Sequence, residues 1–460
     1  MQSNREVFEK MSVPKALATL AAPTIVSQII TMVYNLADTV FIGTTNDPSK
    51  VAASSVAFVL VFAMNCLSNL FGVGGGSLIS RLLGEKRDGD AASVSSFSFW
   101  GSFAISAVYS VLVFLFMEPF LYFLGATDSS IEYAKDYAFW VVVIGSVPAT
   151  LGMTMSHLLR SEGYAKYSSF GLGFGGVLNI ILDPLFMFVI LEPGNEVAGA
   201  ALATLISNVA VLVYFLITYI VIKKKTVLSI SPRIMIPKKH YISSVFAVGF
   251  PSALGSALAC LASIMINNLT SGYGDVAVAS VGIAKKIDML PMNVGMGLCQ
   301  GMMPLVAYNF SAKNYNRMKA FTSTARLWGV AFSAVCIVVF EIFAEPIVRL
   351  FINEAETVAL ATNFLRIMCL AVPLMITNFQ LSFTFQAMGM GKESLLLSSL
   401  RQGLINIPLL FIMRHFFGLY GIIWTQLISD ALTTAISMAV YSRAYKKLNA
   451  EVTAEELIED

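Results

Sequence analysis

The sequence predicts an all-α membrane protein of twelve transmembrane helices, arranged as two six-helix lobes related by pseudo-two-fold symmetry along the membrane normal. Three observations predict it. Apolar runs of membrane-crossing length recur from end to end, the Lys and Arg residues between them alternate in density, and the second half of the chain repeats the first.

The 460 residues are 57% hydrophobic and only 13% charged. A soluble chain of this size has no interior large enough for so much apolar surface, so lipid is its solvent. Each run reaches the roughly 20 residues that a helix needs to cross a bilayer. The runs predict spans over 15–43, 51–80, 92–117, 137–158, 167–191, 198–222, 243–270, 276–307, 319–344, 358–386, 395–417 and 419–444. The alternating ~10-residue strands of a membrane β-barrel are absent. The first run is too long for a signal-peptide core and no small-residue cleavage site follows it, so it is expected to stay as the first helix.

An even number of spans puts both termini on one side, and the loops then fall into two sets. One set holds Arg5, Lys10 and Lys15, Arg81, Lys86 and Arg87, Arg160 and Lys166, the basic stretch from Lys223 to Lys239, Lys313, Arg317 and Lys319, Lys392, and the tail with Arg443, Lys446 and Lys447. The other set has only Lys50, Lys135, Arg349 and Arg414, against acids such as Asp128, Glu132, Asp136, Glu192, Glu196, Glu354 and Glu356. Positively charged loops stay inside, so both termini are expected in the cytoplasm.

The halves align. Pro23 maps onto Pro251, Ser55-Val56 onto Ser280-Val281, Glu118-Pro119 onto Glu345-Pro346, Pro148 onto Pro373, Asn179 onto Asn406, and Leu205-Ile206-Ser207-Asn208 onto Leu427-Ile428-Ser429-Asp430, at a nearly constant separation. Six spans per copy insert both copies in the same direction, with the axis along the membrane normal. The expected boundaries are an N-lobe over 1–222, a cytoplasmic linker over 223–242 with Ser229, Pro232 and Pro237, a C-lobe over 243–446 and a cytoplasmic tail over 447–460.

A carboxylate in a lipid-embedded helix costs a few kcal/mol on insertion scales, so it faces protein or water and usually has a task. Asp38 lies in the outer half of the first span. Asp183 lies in the fifth, one turn after Asn179, so the two share a helix face. Pro184 follows directly, and Gly171, Gly173, Gly175 and Gly176 precede them, which suits a kinked or closely packed helix. Burial and a neighbouring carboxylate both disfavour ionisation, so such a pair suits a proton or Na⁺ site; the plainer alternative is that each Asp caps or bonds a neighbouring helix. The repeat puts Ile266 or Asn267 opposite Asp38 and Leu410 opposite Asp183, which assigns this chemistry to the N-lobe. The second half has its own charges, Lys285, Lys286 and Asp288 in the eighth span and Arg366 in the tenth. Lys285 and Asp288, three apart, can pair across one turn: they read either as a neutralised pair lining a wet cavity or as residues with a substrate-contacting or coupling role. Gln28, Tyr34 and Asn35 on the first span join Lys285 and Asp288 as candidates to line a substrate cavity. Pro23 and Pro184 are the candidate hinges.

Several classes of activity are excluded by what is missing. The five cysteines, Cys66, Cys260, Cys299, Cys336 and Cys369, lie inside predicted spans without CxxC spacing and read as small buried hydrophobes. Gly389-Met390-Gly391-Lys392-Glu393 superficially resembles a phosphate loop, but the first Gly spacing fails and Glu393 stands where a Ser or Thr would hold magnesium, so no ATP site is expected. Net charge is +2 and no basic patch is interleaved with aromatics, which argues against nucleic acid. His157, His240 and His415 are scattered, so neither a His-rich metal centre nor a Ser/His/Asp hydrolase is supported.

At this point the chain resembles a known family, the MATE (multidrug and toxic compound extrusion) exporters, over nearly its whole length. The resemblance is carried by Tyr34-Asn35-Leu36-Ala37-Asp38-Thr39-Val40-Phe41-Ile42-Gly43, Leu159-Arg160-Ser161-Glu162-Gly163, Asn179-Ile180-Ile181-Leu182-Asp183-Pro184, and Gln300-Gly301-Met302-Met303-Pro304-Leu305 with Tyr308-Asn309-Phe310-Ser311-Ala312-Lys313-Asn314-Tyr315. The pattern is similar to the bacterial DinF/MepA-like branch. The resemblance implies an antiporter in the bacterial inner membrane that exports organic cations and other amphipathic drugs in exchange for H⁺ or Na⁺. It implies no other cofactor, no ATP and a monomer in membrane lipid. It assigns Asp38, Asn179 and Asp183 to the cation site, with Thr204 as a fourth member and Na⁺ as a candidate metal there. Other branches of the family carry acids in the seventh and tenth spans, where this chain has Asn267, Asn268, Asn378 and Gln380. The alternative expectation is a lipid-linked sugar flippase of related fold. A membrane-embedded enzyme lacks any clustered nucleophile, acid/base pair or metal set.

Overall fold

The computed structural model describes residues 2–45 and 47–459; the side chains of residues 2–4, 48 and 448–460 lie outside that description, and with them most of the expected tail. Among the described residues all regular structure is helical. A short arm, α1 (Gln2–Glu9), precedes α2 (Val13–Gly43), α3 (Pro48–Gly84), α4 (Asp88–Leu115), α5 (Met117–Phe123), α6 (Ile131–Ala138), α7 (Ser146–Ser161), α8 (Ala165–Leu185) and α9 (Glu196–Ile222). The second half comprises α10 (Lys239–Ser271), α11 (Asp275–Ser311), α12 (Tyr315–Arg349), α13 (Ala355–Cys369), α14 (Val372–Met388), α15 (Gly391–Ser399) and α16 (Asn406–Glu459).

Local chemistry sets the helix ends. Asp47 accepts a hydrogen bond from the Ser49 amide at 2.9 Å, with Pro48 in the first turn of α3. Asn314 accepts from the Arg317 amide at 3.2 Å to open α12. Asp88 and Asp90 sit in the first turn of α4, where the helix dipole favours negative charge.

Twelve membrane crossings follow from these helices. α2, α3, α4, α9, α10 and α12 are each long and apolar enough to span alone, as is α8 continued by a π-helical turn over Phe186–Ile190. The α6–α7 pair and the α13–α14 pair each make one bent span, with angles of 51° and 44°. α16 changes direction at Gly418 (φ 59°, ψ −137°), so the stretch from Gly391 supplies two crossings. α11 is the twelfth, 37 residues long and interrupted by Lys285, Lys286 and Asp288.

The sharp bends do not fall at the expected hinges. Pro23 lies inside an uninterrupted α2, and at Pro184 the helix passes within two residues into the π turn. The two bends above 40° sit instead just before Pro148 and Pro373, a repeat-related pair. Each proline removes the amide that would bind the carbonyl four residues back, which frees the helix to break there.

The apolar interior is one body at the end of the molecule that carries the termini. Phe8, Leu17, Ile79 and Leu158 pack there in the same cluster as Val245, Met302, Phe321 and Leu381 of the second half. At the far end it divides into two separate cores, one around Leu121, Val141 and Val197, the other around Val281, Phe340 and Phe364. Hydrogen bonds between the lobes show the same division. Arg160 Nη1 donates to Gln300 Oε1 at 2.9 Å, Ser77 Oγ to the Gln386 carbonyl at 2.5 Å, Tyr241 OH to Asp90 Oδ2 at 3.0 Å and Asn69 Nδ2 to Ser256 Oγ at 3.2 Å. Among the described residues no hydrogen bond joins the far halves of the two lobes. Backbones touch at the closed end: a Cβ added to Gly249 would run into the Leu70 carbonyl, and one added to Gly301 into the Ala21 backbone. Closure of this kind needs glycine, and the sequence supplies it.

The arm α1 adds a clasp at the same end. Phe8 is 1% exposed and stacks on Tyr308 at 4.8 Å between ring centroids. Tyr308 OH donates to Glu9 Oε1 at 2.5 Å, and the Arg317 guanidinium donates to the Phe8 carbonyl at 2.8 Å and the Met11 carbonyl at 2.5 Å.

Candidate functional site

Four elements of the N-lobe bring its polar residues together. α2 contributes Tyr34 and Asp38, α6 contributes Tyr137, α8 contributes Asn179 and Asp183, and α9 contributes Thr204. Gly176 allows the approach of α8 to α2, because a Cβ there would meet Ile30 Cγ2 at 2.9 Å and Tyr34 Cδ1 at 3.2 Å. Asn179 Nδ2 donates to Asp183 Oδ1 at 3.0 Å, as the four-residue spacing predicts, and lies 3.4 Å from Thr204 Oγ1. Tyr137 lies beside Thr204 and feels the charges of Asp38 and Asp183, while Asp38 acts electrostatically on Asp183. Asp183 and Asn179 are buried, at 0% and 3% exposure.

The chemistry of this cluster is set by its vacant lone pairs. Asp38 Oδ1, Asn179 Oδ1 and Asp183 Oδ2 are all shielded from solvent and accept no hydrogen bond. A buried carboxylate oxygen without a donor is costly, and three such acceptors in one cluster make a site that a proton, a cation or an ordered water can satisfy. The donor set is all oxygen, which suits a hard ion such as Na⁺ as well as H⁺. Among the described residues no three His, Cys, Asp or Glu side chains group as a metal site, so the neutral oxygens of Asn179 and Thr204 would complete any coordination.

The other predicted residues sit elsewhere. Gln28 is half-buried and Asn35 exposed along α2, while Tyr34, read as a cavity residue, is turned toward the carboxylate pair and feels both Asp38 and Asp183. The expected Lys285–Asp288 pair does not form. No ion pair or hydrogen bond joins them among the described residues, and the charges acting on Asp288 are those of Arg401 and Asp430. Asp288 lies within electrostatic reach of Cys336 and Cys369 of the C-lobe, and Lys285 has no hydrogen-bond or ion-pair partner among the described residues. Arg366 pairs with Glu341 at 3.8 Å, both about two-fifths exposed.

Sequence reasoning gave no site role to Tyr137, Arg401 or Asp430, although Asp430 stands opposite Asn208 in the repeat. Arg401 Nε donates to Asp430 Oδ1 at 2.7 Å, with side chains 9% and 1% exposed. Gln426 Nε2 donates to Asp430 Oδ2 at 2.6 Å, Asn378 Nδ2 to the Asp430 carbonyl at 3.1 Å, and the guanidinium lies 4.5 Å from the Phe379 ring centroid. The signal was present, since both charges fall inside predicted spans.

A family model described as MatE matches this chain twice, over residues 23–185 and 251–412, one copy in each half. The chain belongs to the MatE family. It is therefore a multi-pass membrane transporter and not an enzyme. Among curated relatives, the multidrug export protein MepA of Staphylococcus saprophyticus is 32% identical over 433 residues, covering 94% of each chain. MepA of Staphylococcus aureus is 33% identical over 453 residues, covering 98% of each. The MatE fold is matched by a solved structure titled as the outward-facing conformation of a multidrug resistance MATE family transporter, at TM-score 0.91 and 22% identity, covering 98% of this chain and 99% of that one.

Proposed function

We propose that this MatE protein exports amphipathic organic cations and other drugs across the bacterial inner membrane by alternating access, in antiport with H⁺ or Na⁺. The observation that carries the reading is the convergence of Asp38, Asn179, Asp183 and Thr204, with Tyr34 and Tyr137, around three acceptor oxygens that no donor satisfies. The names of the curated relatives supply the class of cargo.

In this reading the end that carries the basic loops and both termini is cytoplasmic, so the arrangement here is outward-open. The ion enters the N-lobe from outside, satisfies the orphaned oxygens and draws α2 and α8 together. Tyr34 lies on the same helix as Asp38, so the ion-driven shift of α2 changes the wall presented to the drug and releases it outward. Pro23 and Pro184 are the places where those two helices lack a backbone bond and yield most easily. Ion and substrate thus compete for one lobe, the protein works as a monomer in lipid, and neither ATP nor nucleic acid takes part.

The test is Asp38→Asn in proteoliposomes, with ethidium efflux driven separately by a pH gradient and by a Na⁺ gradient. Gradient-driven efflux is expected to vanish from a variant that still folds and inserts, and the wild-type response names the ion. Undiminished efflux would refute the scheme. A flippase of lipid-linked sugars would instead rescue a cell-envelope assembly defect and leave drug tolerance unchanged.

A further inference from the structure

The C-lobe holds a buried charge cluster that the N-lobe scheme does not use. Arg401 and Asp430 neutralise one another, with Gln426 and Asn378 completing the shell of Asp430. Asp288, on α11, is left over. Its Oδ1 is shielded from solvent and accepts no hydrogen bond, and the charges that act on it are the already committed Arg401 and Asp430. Asn378, 3% exposed, also leaves its Oδ1 without a donor in the same cluster. The remaining titratable neighbours are Cys336 on α12 and Cys369 on α13, which supply no positive charge, and Lys285 on the same helix donates to nothing among the described residues. Asp288 is half-buried, its Oδ1 is shielded from solvent, and no ion pair holds its charge among the described residues, so a proton would relieve the cost of keeping that charge within the membrane.

We propose that Asp288 is a second proton-carrying site, in the C-lobe, that loads and unloads one proton per transport cycle. A proton suits it better than Na⁺, because the orphaned oxygens of the cluster are few. The link to transport is α11 itself. Asp288 lies nine residues, or about 13 Å of helix, from Gly297, which meets Ile25 of α2 at the closed end. Pro291 stands between them and frees the Ile287 carbonyl from its helical bond, so a change at Asp288 can swing the gate-bearing part of α11. This inference rests on the antiport reading only in assuming an exchange of ethidium for protons; it does not depend on the N-lobe residues.

The test is thermodynamic. In proteoliposomes with the membrane potential clamped at zero by potassium and valinomycin, an imposed pH gradient sets the ethidium ratio reached when net flux stops. Each coupled proton multiplies that ratio by about ten per pH unit. Asp288→Asn is expected to lower the final ratio about tenfold per pH unit, and Asp288→Glu to restore it. A purely structural Asp288 would slow the approach without moving the end point, and an unchanged end point in Asp288→Asn overturns the proposal. Asp38→Asn run in parallel separates the two readings: a wild-type end point there refutes the N-lobe scheme and leaves the Asp288 result standing.

Discussion

Phe8→Ala should loosen the closed end of the molecule and change which side the cavity opens to. Phe8 is 1% exposed, and the ring it stacks on, Tyr308, belongs to the C-lobe, while its own helix runs directly into α2 of the N-lobe. These contacts exist only while the lobes meet at that end. Truncating a buried Phe to Ala costs about 3–5 kcal/mol in a core. The hydrogen bonds from Arg317 to the Phe8 and Met11 carbonyls survive the substitution and retain part of the docking, so we take about 3 kcal/mol, the low end of that range, as the bias lost by the closed state. That is a roughly hundredfold change in the closed-to-open ratio, enough to bring a strongly closed population near parity. The assay is pulsed electron spin resonance between spin labels at Lys166→Cys and Lys392→Cys, exposed sites on opposite lobes at this end, in a background free of native cysteines. A second, longer distance should appear in Phe8→Ala. Arg5→Ala serves as the control, because its pair with Asp88 at 2.5 Å is about one-third exposed on both sides and such pairs contribute little. A distance distribution in Phe8→Ala indistinguishable from wild type would refute the clasp.

Three further outcomes are expected. Gly176→Leu should force α8 away from α2, and ion-dependent efflux should fall at least tenfold with membrane insertion intact, as measured by dye transport and surface labelling. Arg401→Leu leaves Asp430 buried and unpaired at a cost of about 3–5 kcal/mol, which should appear as a large drop in apparent Tm in detergent, with most of it recovered in the Arg401→Leu/Asp430→Leu double variant; a single variant as stable as wild type would contradict the pairing. Tyr137→Phe should weaken ion binding while leaving equilibrium ethidium binding near wild type, because Tyr137 lies within electrostatic reach of both carboxylates.

Much of this was legible in the sequence because lipid imposes a simple rule: each crossing must be long and apolar. The apolar run over 276–307 marked even α11, despite the three charges it carries. Asp183 and Asn179 were legible as a pair because both lie on one helix, where spacing alone fixes their proximity. Tyr137 and the Arg401–Asp430 pair were not, because each depends on contacts between helices far apart in sequence, and residue spacing says nothing of which helices meet. Lys285 and Asp288 show the converse error. Three-residue spacing permits a pair, but the charges that act on Asp288 are those of Asp430 and Arg401, brought in from elsewhere in the C-lobe. The bends were hidden for a similar reason: Pro148 and Pro373 were visible as a matched pair, yet Pro23 shows that proline within a membrane helix does not by itself decide where the axis breaks.

The turn at Gly418 bears on how the molecule can be handled. With φ at 59° the chain reverses there on one residue, so the last two crossings emerge with no slack between them. An affinity tag, a protease site or an antibody loop has nothing to grip at that hairpin. On the same face, the segment 191–195 is largely exposed around Gly194, and it is the place to graft a handle for tracking the protein in living cells.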